Sequence, residues 1–330
     1  MHMLQYLVIL LDDTSTSYCH YTNGKKERHL ISLDDLKAGI FFGMKENLMI
    51  QFIYPDYDLP EEYKNVIETI DHSNIMPIAG KDADITVFNN WSEMVSYPFN
   101  VGSTYVLRIE KLDLFAQRDF IKTVFRKVAR LNVVVTDVET FNDTDFDIYK
   151  ECLEEWSEEI KCLYDDGVSP QFNLITDRMV LDKMNNCGAG DTTITLAPDG
   201  RFYICPAFYL DGACNGDEKS ISEVCCKGYS IGSLAEGLNV KNPQLYKLSH
   251  APLCRTCDSF HCKRCIWLNR RTTLEVNTPS RQQCVVSHIE RDVSRKLLNR
   301  LKNDIPSLYG KEITELSHLD PFEIVNKLFY

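Results

Sequence analysis

Ten of the chain's thirteen cysteines fall between Cys187 and Cys284, and four of them crowd into the stretch Cys254–Cys265. No other feature constrains the chain as strongly. A segment this rich in His, Lys and Arg offers few apolar partners, so these thiols do not read as core packing. A Cys-x2-Cys unit lets one tight turn aim two thiolates at one metal centre. Two such units follow each other as Cys254-x2-Cys257-x4-Cys262-x2-Cys265, with Cys284 after eighteen more residues. A second block reads Cys187-x12-Gly200-x4-Cys205. Thiolates are soft ligands that select zinc or iron–sulfur clusters over hard cations.

The compartment bears on this reading. The early apolar run Tyr6–Leu11 is short, lacks a basic flank and runs into Asp12-Asp13, so it reads as a buried strand and not as an export signal. No stretch is long enough to span a bilayer. A cytoplasmic location is expected, where disulfides are disfavoured and clustered cysteines point to metal or redox chemistry. Isolated Cys152 and Cys162 read as structural thiols. A net charge of −12 argues against a nucleic-acid partner, which calls for a basic footprint.

Residues 1–182 alternate strand-like and helix-like segments, the pattern of a mostly parallel sheet. Strands are expected at Leu4–Leu11, Leu48–Tyr54, Ile85–Phe88, Thr104–Ile109, Asn132–Thr136 and Phe172–Ile175. Helices are expected at Ser32–Met44, at Glu61–Ile70 behind Pro60, at Arg118–Arg130 and at Asp143–Leu163. In the first helix, Ser32 is the N-cap and Leu33, Leu36, Ile40 and Phe41 form the apolar face. Roughly six strand–helix units favour an α/β fold built as a partial parallel (β/α) barrel. Residues 183–302 form a cysteine-rich domain with a short β-hairpin and helices. Its hairpin is Thr192–Leu196, Pro198-Asp199-Gly200, Phe202–Cys205. Ile289, Val293, Leu297, Leu298 and Leu301 make an amphipathic helical stripe there. Residues 303–330 read as a helical tail with a last helix at Pro321–Tyr330.

The ligand spacing alone leaves zinc open, because two Cys-x2-Cys knuckles suffice for it. The surroundings favour clusters. The glycines of Cys187-Gly188-Ala189-Gly190 let backbone amides approach cluster sulfurs, and seven spaced thiolates exceed zinc's four ligands.

Cys187-x12-Gly200-x4-Cys205, then Tyr229-Ser230-Ile231-Gly232-Ser233-Leu234, then the Cys254–Cys265 block and Cys284 resemble the SPASM domain of radical SAM peptide maturases. The resemblance covers about Cys187–Leu301. It implies that Cys254, Cys257, Cys262 and Cys284 hold one auxiliary 4Fe-4S cluster. Cys187, Cys205 and Cys265 would hold a second, usually with one further ligand. The central gaps are each one residue shorter than the family's usual spacing, and no cysteine lies just upstream of Cys187. Cys214, Cys225 and Cys226 are candidates for that ligand. His261 could also substitute, although a solvated His is the simpler reading.

The resemblance also implies a radical SAM barrel in the first half, with Cys-x3-Cys-x2-Cys after its first strand. Here that register reads Ser15-x3-Cys19-x2-Thr22, so hydroxyls stand at two of three ligand positions, a degenerate cluster site. Where such barrels carry Gly-Gly-Glu after the second strand, this chain has Tyr54-Pro55-Asp56, and proline has no amide hydrogen to offer. The whole chain resembles the CXXX-repeat peptide maturase group. The implied function is an iron–sulfur protein of ribosomal-peptide maturation that binds a precursor peptide or a partner maturase and has little place for S-adenosylmethionine. Two alternatives stand beside it: an active radical SAM maturase with unconventional ligands, and a zinc-stapled interaction protein.

Overall fold

The computed structural model describes residues 4–304, apart from 79, 81–82, 180 and 212–228. Cys214, Cys225 and Cys226, and the helix expected at Pro321–Tyr330, lie outside the described residues.

In chain order the strands are β1 (Tyr6–Leu10), β2 (Met49–Ile53), β3 (His72–Pro77), β4 (Ile85–Phe88), β5 (Thr104–Ile109), β6 (Arg130–Val135), β7 (Gln171–Phe172), β8 (Thr193–Leu196), β9 (Phe202–Tyr203), β10 (Gly232–Ser233) and β11 (Gly237–Leu238). The helices are α1 (Leu33–Lys45), α2 (Glu61–Ile67), α3 (Lys111–Ala116), α4 (Arg118–Phe125), α5 (Asp143–Asp165), α6 (Ala207–Leu210), α7 (Ile266–Thr273) and α8 (Arg281–Asp304). The main sheet has nine strands in the order β7-β6-β5-β4-β3-β2-β1-β8-β9 and is mostly parallel, while β10 and β11 form a separate pair. The expected α/β architecture, with a large parallel sheet suited to a partial barrel, is therefore present. Among the described residues no helix is long and apolar enough to cross a membrane.

By internal contacts the chain divides into two units, residues 1–97, 103–108 and 188–247, and residues 98–102, 109–187 and 248–330. In the first unit β1 is central. Leu7, Ile9 and Leu10 are wholly buried, which is why its apolar run is continuous and does not alternate. It pairs in parallel with β2, Leu7 opposite Ile50, and on its other side with β8, Leu7 opposite Ile194. The expected hairpin is present as antiparallel β8–β9, with Leu196 opposite Phe202 and Gly200 at φ 72° in the turn.

Helix α1 begins at the expected cap, where Ser32 Oγ accepts from the Asp35 amide at 3.0 Å. Its buried face differs from the expectation. Leu36, Gly39, Ile40 and Gly43 face inward, while Phe41 is 68% exposed. The glycines set this rotation. A Cβ on Gly39 would collide with Leu196 Cδ2, so the helix lies closer to the strands than a larger side chain permits. β3, His-Ser-Asn-Ile-Met-Pro, was not anticipated, because its polar first half hides the strand pattern.

In the second unit α5 starts on a capping box formed by Asn142 and Asp145. Its expected stripe, Phe146, Tyr149, Leu153, Trp156 and Ile160, is buried, and the Trp156 indole donates to the Arg118 carbonyl at 3.0 Å. Of the expected stripe on α8, Val293, Leu297, Leu298 and Leu301 are likewise buried, while Ile289 is half-buried. The strand expected at Phe172–Ile175 ends at Phe172. There Thr176 Oγ1 accepts from the Phe172 amide at 2.7 Å and starts a 3-10 turn. The helix expected at Arg118–Arg130 stops at Phe125, and β6 begins at Arg130.

Candidate metal centre

Within the second unit, tight turns carry the first thiols. The Cys254 amide donates to the Ala251 carbonyl at 3.0 Å, and the Cys257 amide donates to the Cys254 carbonyl at 3.1 Å. A further turn brings in Cys262, whose amide donates to the Ser259 carbonyl at 2.9 Å. Ser259 Oγ then donates to the Ser287 carbonyl at 2.7 Å, tying this loop to α8. Cys284 sits in the first turn of α8, with its amide donating to the Ser280 carbonyl at 3.2 Å. Cys254, Cys257, Cys262 and Cys284 consequently line one small cavity together with Arg264, Ser287 and His288.

Cys254 is buried and Cys257, Cys262 and Cys284 are half-buried. Burial, with smaller contributions from neighbouring sulfurs, pushes the Cys254 thiol up to about 12 and the Cys257 thiol up to about 11. Left to themselves these thiols stay protonated, and it takes a metal to displace their protons. Partners for the anionic form stand nearby. The Ser259 amide donates to Cys257 Sγ at 3.4 Å, His288 Nε2 lies 3.5 Å from the same sulfur, and the Arg264 charge lowers the Cys254 thiol's pKa. Among the described residues no three His, Cys, Asp or Glu side chains converge at single-ion spacing. An all-thiolate donor set around a cavity, with amide, imidazole and guanidinium groups at its rim, fits an iron–sulfur cluster chemically.

The remaining expected ligands are placed differently. Cys265 caps α7, its Sγ accepting from the Leu268 amide at 3.5 Å. Cys187 is exposed, and its amide donates to the Lys263 carbonyl at 3.3 Å. Both belong to the second unit, whereas Cys205 belongs to the first. His261 is not solvated. It is buried with Nε2 3.7 Å from Asp177 Oδ2, and burial, reinforced by the charges of Lys263, Arg178 and Arg130, lowers it to about 2, so it is a neutral imidazole. Cys152 is buried on α5 as expected of a structural thiol, while Cys162 is exposed.

In the first unit the segment after β1 is held by hydrogen bonds that use up Ser15. Ser15 Oγ accepts from the Asp12 amide at 3.0 Å and donates to the Ile53 carbonyl at 2.9 Å, and the residue is wholly buried. Thr22 is exposed and Cys19 half-buried. Arg108, at the C-terminal end of β5, staples this segment. Its Nε donates to the Cys19 carbonyl at 3.0 Å, Nη2 to the Tyr21 carbonyl at 2.7 Å and Nη1 to Asn89 Oδ1 at 2.9 Å. After β2, the Tyr54 amide donates to the Ile75 carbonyl at 3.0 Å, and Tyr57 donates to Asp12 Oδ2 at 2.8 Å.

Arg264, His288 and Arg108 escaped the sequence reading. Only His288 left a signal, four residues after Cys284 and so on the same helix face.

No family model matches the chain, and no curated protein matches it in sequence. Solved structures do match in fold. One, a histidine-tagged anSMEcpe with bound AdoMet, has a TM-score of 0.63 at 10% identity over 91% of this chain and 96% of its own. Another, "Native anSMEcpe with bound AdoMet and Cp18Cys peptide", has a TM-score of 0.55 at 13% identity over 92% of this chain and 100% of its own. At these identities the likeness is one of fold, and it extends over nearly the whole of both chains.

Proposed function

We propose that this chain is an iron–sulfur protein of ribosomal-peptide maturation. In this reading Cys254, Cys257, Cys262 and Cys284 hold an auxiliary 4Fe-4S cluster, and the protein binds a precursor peptide or a partner maturase. The observation that carries it is the cavity lined by those four thiols. A cluster held by these four thiolates would supply electron transfer, whereas one held by three thiolates would leave an iron open to a substrate thiolate. Cys187, Cys205 and Cys265 are proposed for a second cluster. The degenerate first site is supported by Ser15, whose hydroxyl serves two backbone groups. The fold likeness to a protein solved with a bound peptide supports the peptide partner. The domain division proposed from the sequence, 1–182, 183–302 and 303–330, goes with this reading, as does a cytoplasmic location.

The test is quantification of iron, sulfide and zinc in anaerobically purified protein, with its visible spectrum. Iron and sulfide in equal amounts with broad visible absorbance support the proposal. Stoichiometric zinc without that absorbance would replace it with the zinc-stapled reading.

A second reading, an active radical SAM maturase using Cys19 with unconventional ligands, is favoured by the AdoMet bound in the fold neighbours. It requires 5′-deoxyadenosine above background from reduced, cluster-loaded protein, and its absence there would exclude this reading.

A further inference from the structure

A second cavity in the same unit holds a buried cation with unused donors. Arg178 follows β7 in the 3-10 turn, and its side chain is 8% exposed. One guanidinium nitrogen, Nη2, meets Glu290, whose other oxygen accepts from the Tyr149 hydroxyl at 2.6 Å. Arg178 Nε and Nη1 are buried and have no hydrogen-bond partner among the described residues. Leaving such donors unmade costs more than an ordinary hydrogen bond contributes.

The cavity beside Arg178 is also lined by Arg291, Arg295 and Lys302, with Asp258 as the one carboxylate in its wall among the described residues. Asp258 accepts from Arg291 at 2.6 Å and from Arg295 at 2.8 Å, and Asp292 accepts from Arg291 at 2.9 Å. Even counting Glu290 and Asp292, the cations outnumber the carboxylates among the described residues. That excess sits in a chain whose net charge is −12. Phe260 and Leu298 supply an apolar wall. The free space is about 80 Å³. One water takes on the order of 10–15 Å³ by the same measure, so a carboxylate on a short alkyl stem fits and a nucleotide does not.

We propose that this cavity takes the carboxylate of an acidic peptide residue, with Arg178 as the buried anchor and Arg295 and Lys302 at the rim. Guanidinium groups bind carboxylates through paired, charge-assisted hydrogen bonds, and the apolar wall suits the alkyl stem better than it suits phosphate. The inference deepens the peptide reading above and rests on it for the source of the carboxylate.

Calorimetry on the full-length, cluster-loaded protein tests it. The probes are glutarate, inorganic phosphate, an acetylated and amidated tripeptide with a central glutamate, and the same tripeptide with glutamine. The glutamate tripeptide should bind roughly tenfold more tightly than the glutamine one. Arg295→Gln and Lys302→Gln should each weaken it by about threefold, with circular dichroism unchanged. Arg178→Lys should weaken it further. Equal binding of the two tripeptides, or affinities untouched by the rim variants, would overturn the site. Phosphate binding more tightly than glutarate would overturn the carboxylate assignment. Glutarate binding that depends on Arg295, with no binding of the glutamate tripeptide, would keep the site and overturn its peptide source. Iron and sulfide content reports separately on the cluster reading.

Discussion

Cys254 and Cys152 are both buried cysteines, and they illustrate how differently the same side chain can be used. Cys254 lines a cavity that three other thiols also line, while Cys152 lies in the packed face of α5. Cys254→Ala is therefore expected to lower the iron bound to anaerobically purified protein by one cluster's worth, and Cys152→Ala to leave it unchanged. Iron and sulfide assays on the two variants check this. Ser15 makes the matching case in the first half. Its hydroxyl satisfies the Asp12 amide and the Ile53 carbonyl, so Ser15→Ala should cost about 1–3 kcal/mol in urea unfolding by leaving buried groups unpaired. A ligand role would instead show as a change in metal content.

Helices α1 and α8 depend on contacts that their hydrophobic pattern alone does not reveal. α1 was legible as a helix from Ser32 onward, yet its apolar periodicity pointed to Phe41 as a core residue. The close approach at Gly39 decided otherwise. Gly39→Val should destabilise by about 1–3 kcal/mol, since its side chain would press into buried Leu196, while Ala38→Val on the exposed side should change stability little. Thermal and urea unfolding of the pair would test the orientation of the helix. On α8 the apolar stripe was legible, but Glu290 was not readable as a buried residue. It accepts from Tyr149 and pairs with Arg178, so Glu290→Ala should cost about 3–5 kcal/mol by stranding a buried guanidinium.

Metal loss should act regionally. The turns carrying Cys254, Cys257 and Cys262 have short elements and few apolar side chains, and a bound metal contributes folding energy directly to such a segment. Air oxidation or chelation is expected to bleach the visible absorbance and open residues 248–284 to protease, while far-ultraviolet circular dichroism stays largely unchanged. The parallel strands β1 to β5 build their core from buried apolar side chains such as Leu7, Ile9, Phe52, Val87 and Leu107. Limited proteolysis of loaded and stripped protein, read by mass spectrometry, is the measurement. Uniform protection in both states would argue that no metal organises that segment.

Local periodicity and ligand spacing determined most strands, the α1 cap, the α5 stripe, the β8–β9 hairpin and the candidate thiols, because each is a property of neighbouring residues. Tertiary structure alone decided the rest. That β8 joins β1, that Gly39 turns α1, that His261 is buried and neutral, and that Arg178 lies beside a cavity all depend on partners distant in sequence. The cysteine cluster spans both cases. Spacing within Cys254–Cys265 makes those thiols candidates for a metal centre, but it is tertiary packing, with the hydrogen bond from Ser259 to Ser287 and the first turn of α8, that brings Cys284 to the same cavity as Cys254, Cys257 and Cys262. A turn can orient two thiols by itself, whereas closing the donor set takes a segment eighteen residues further along, which packing must bring back.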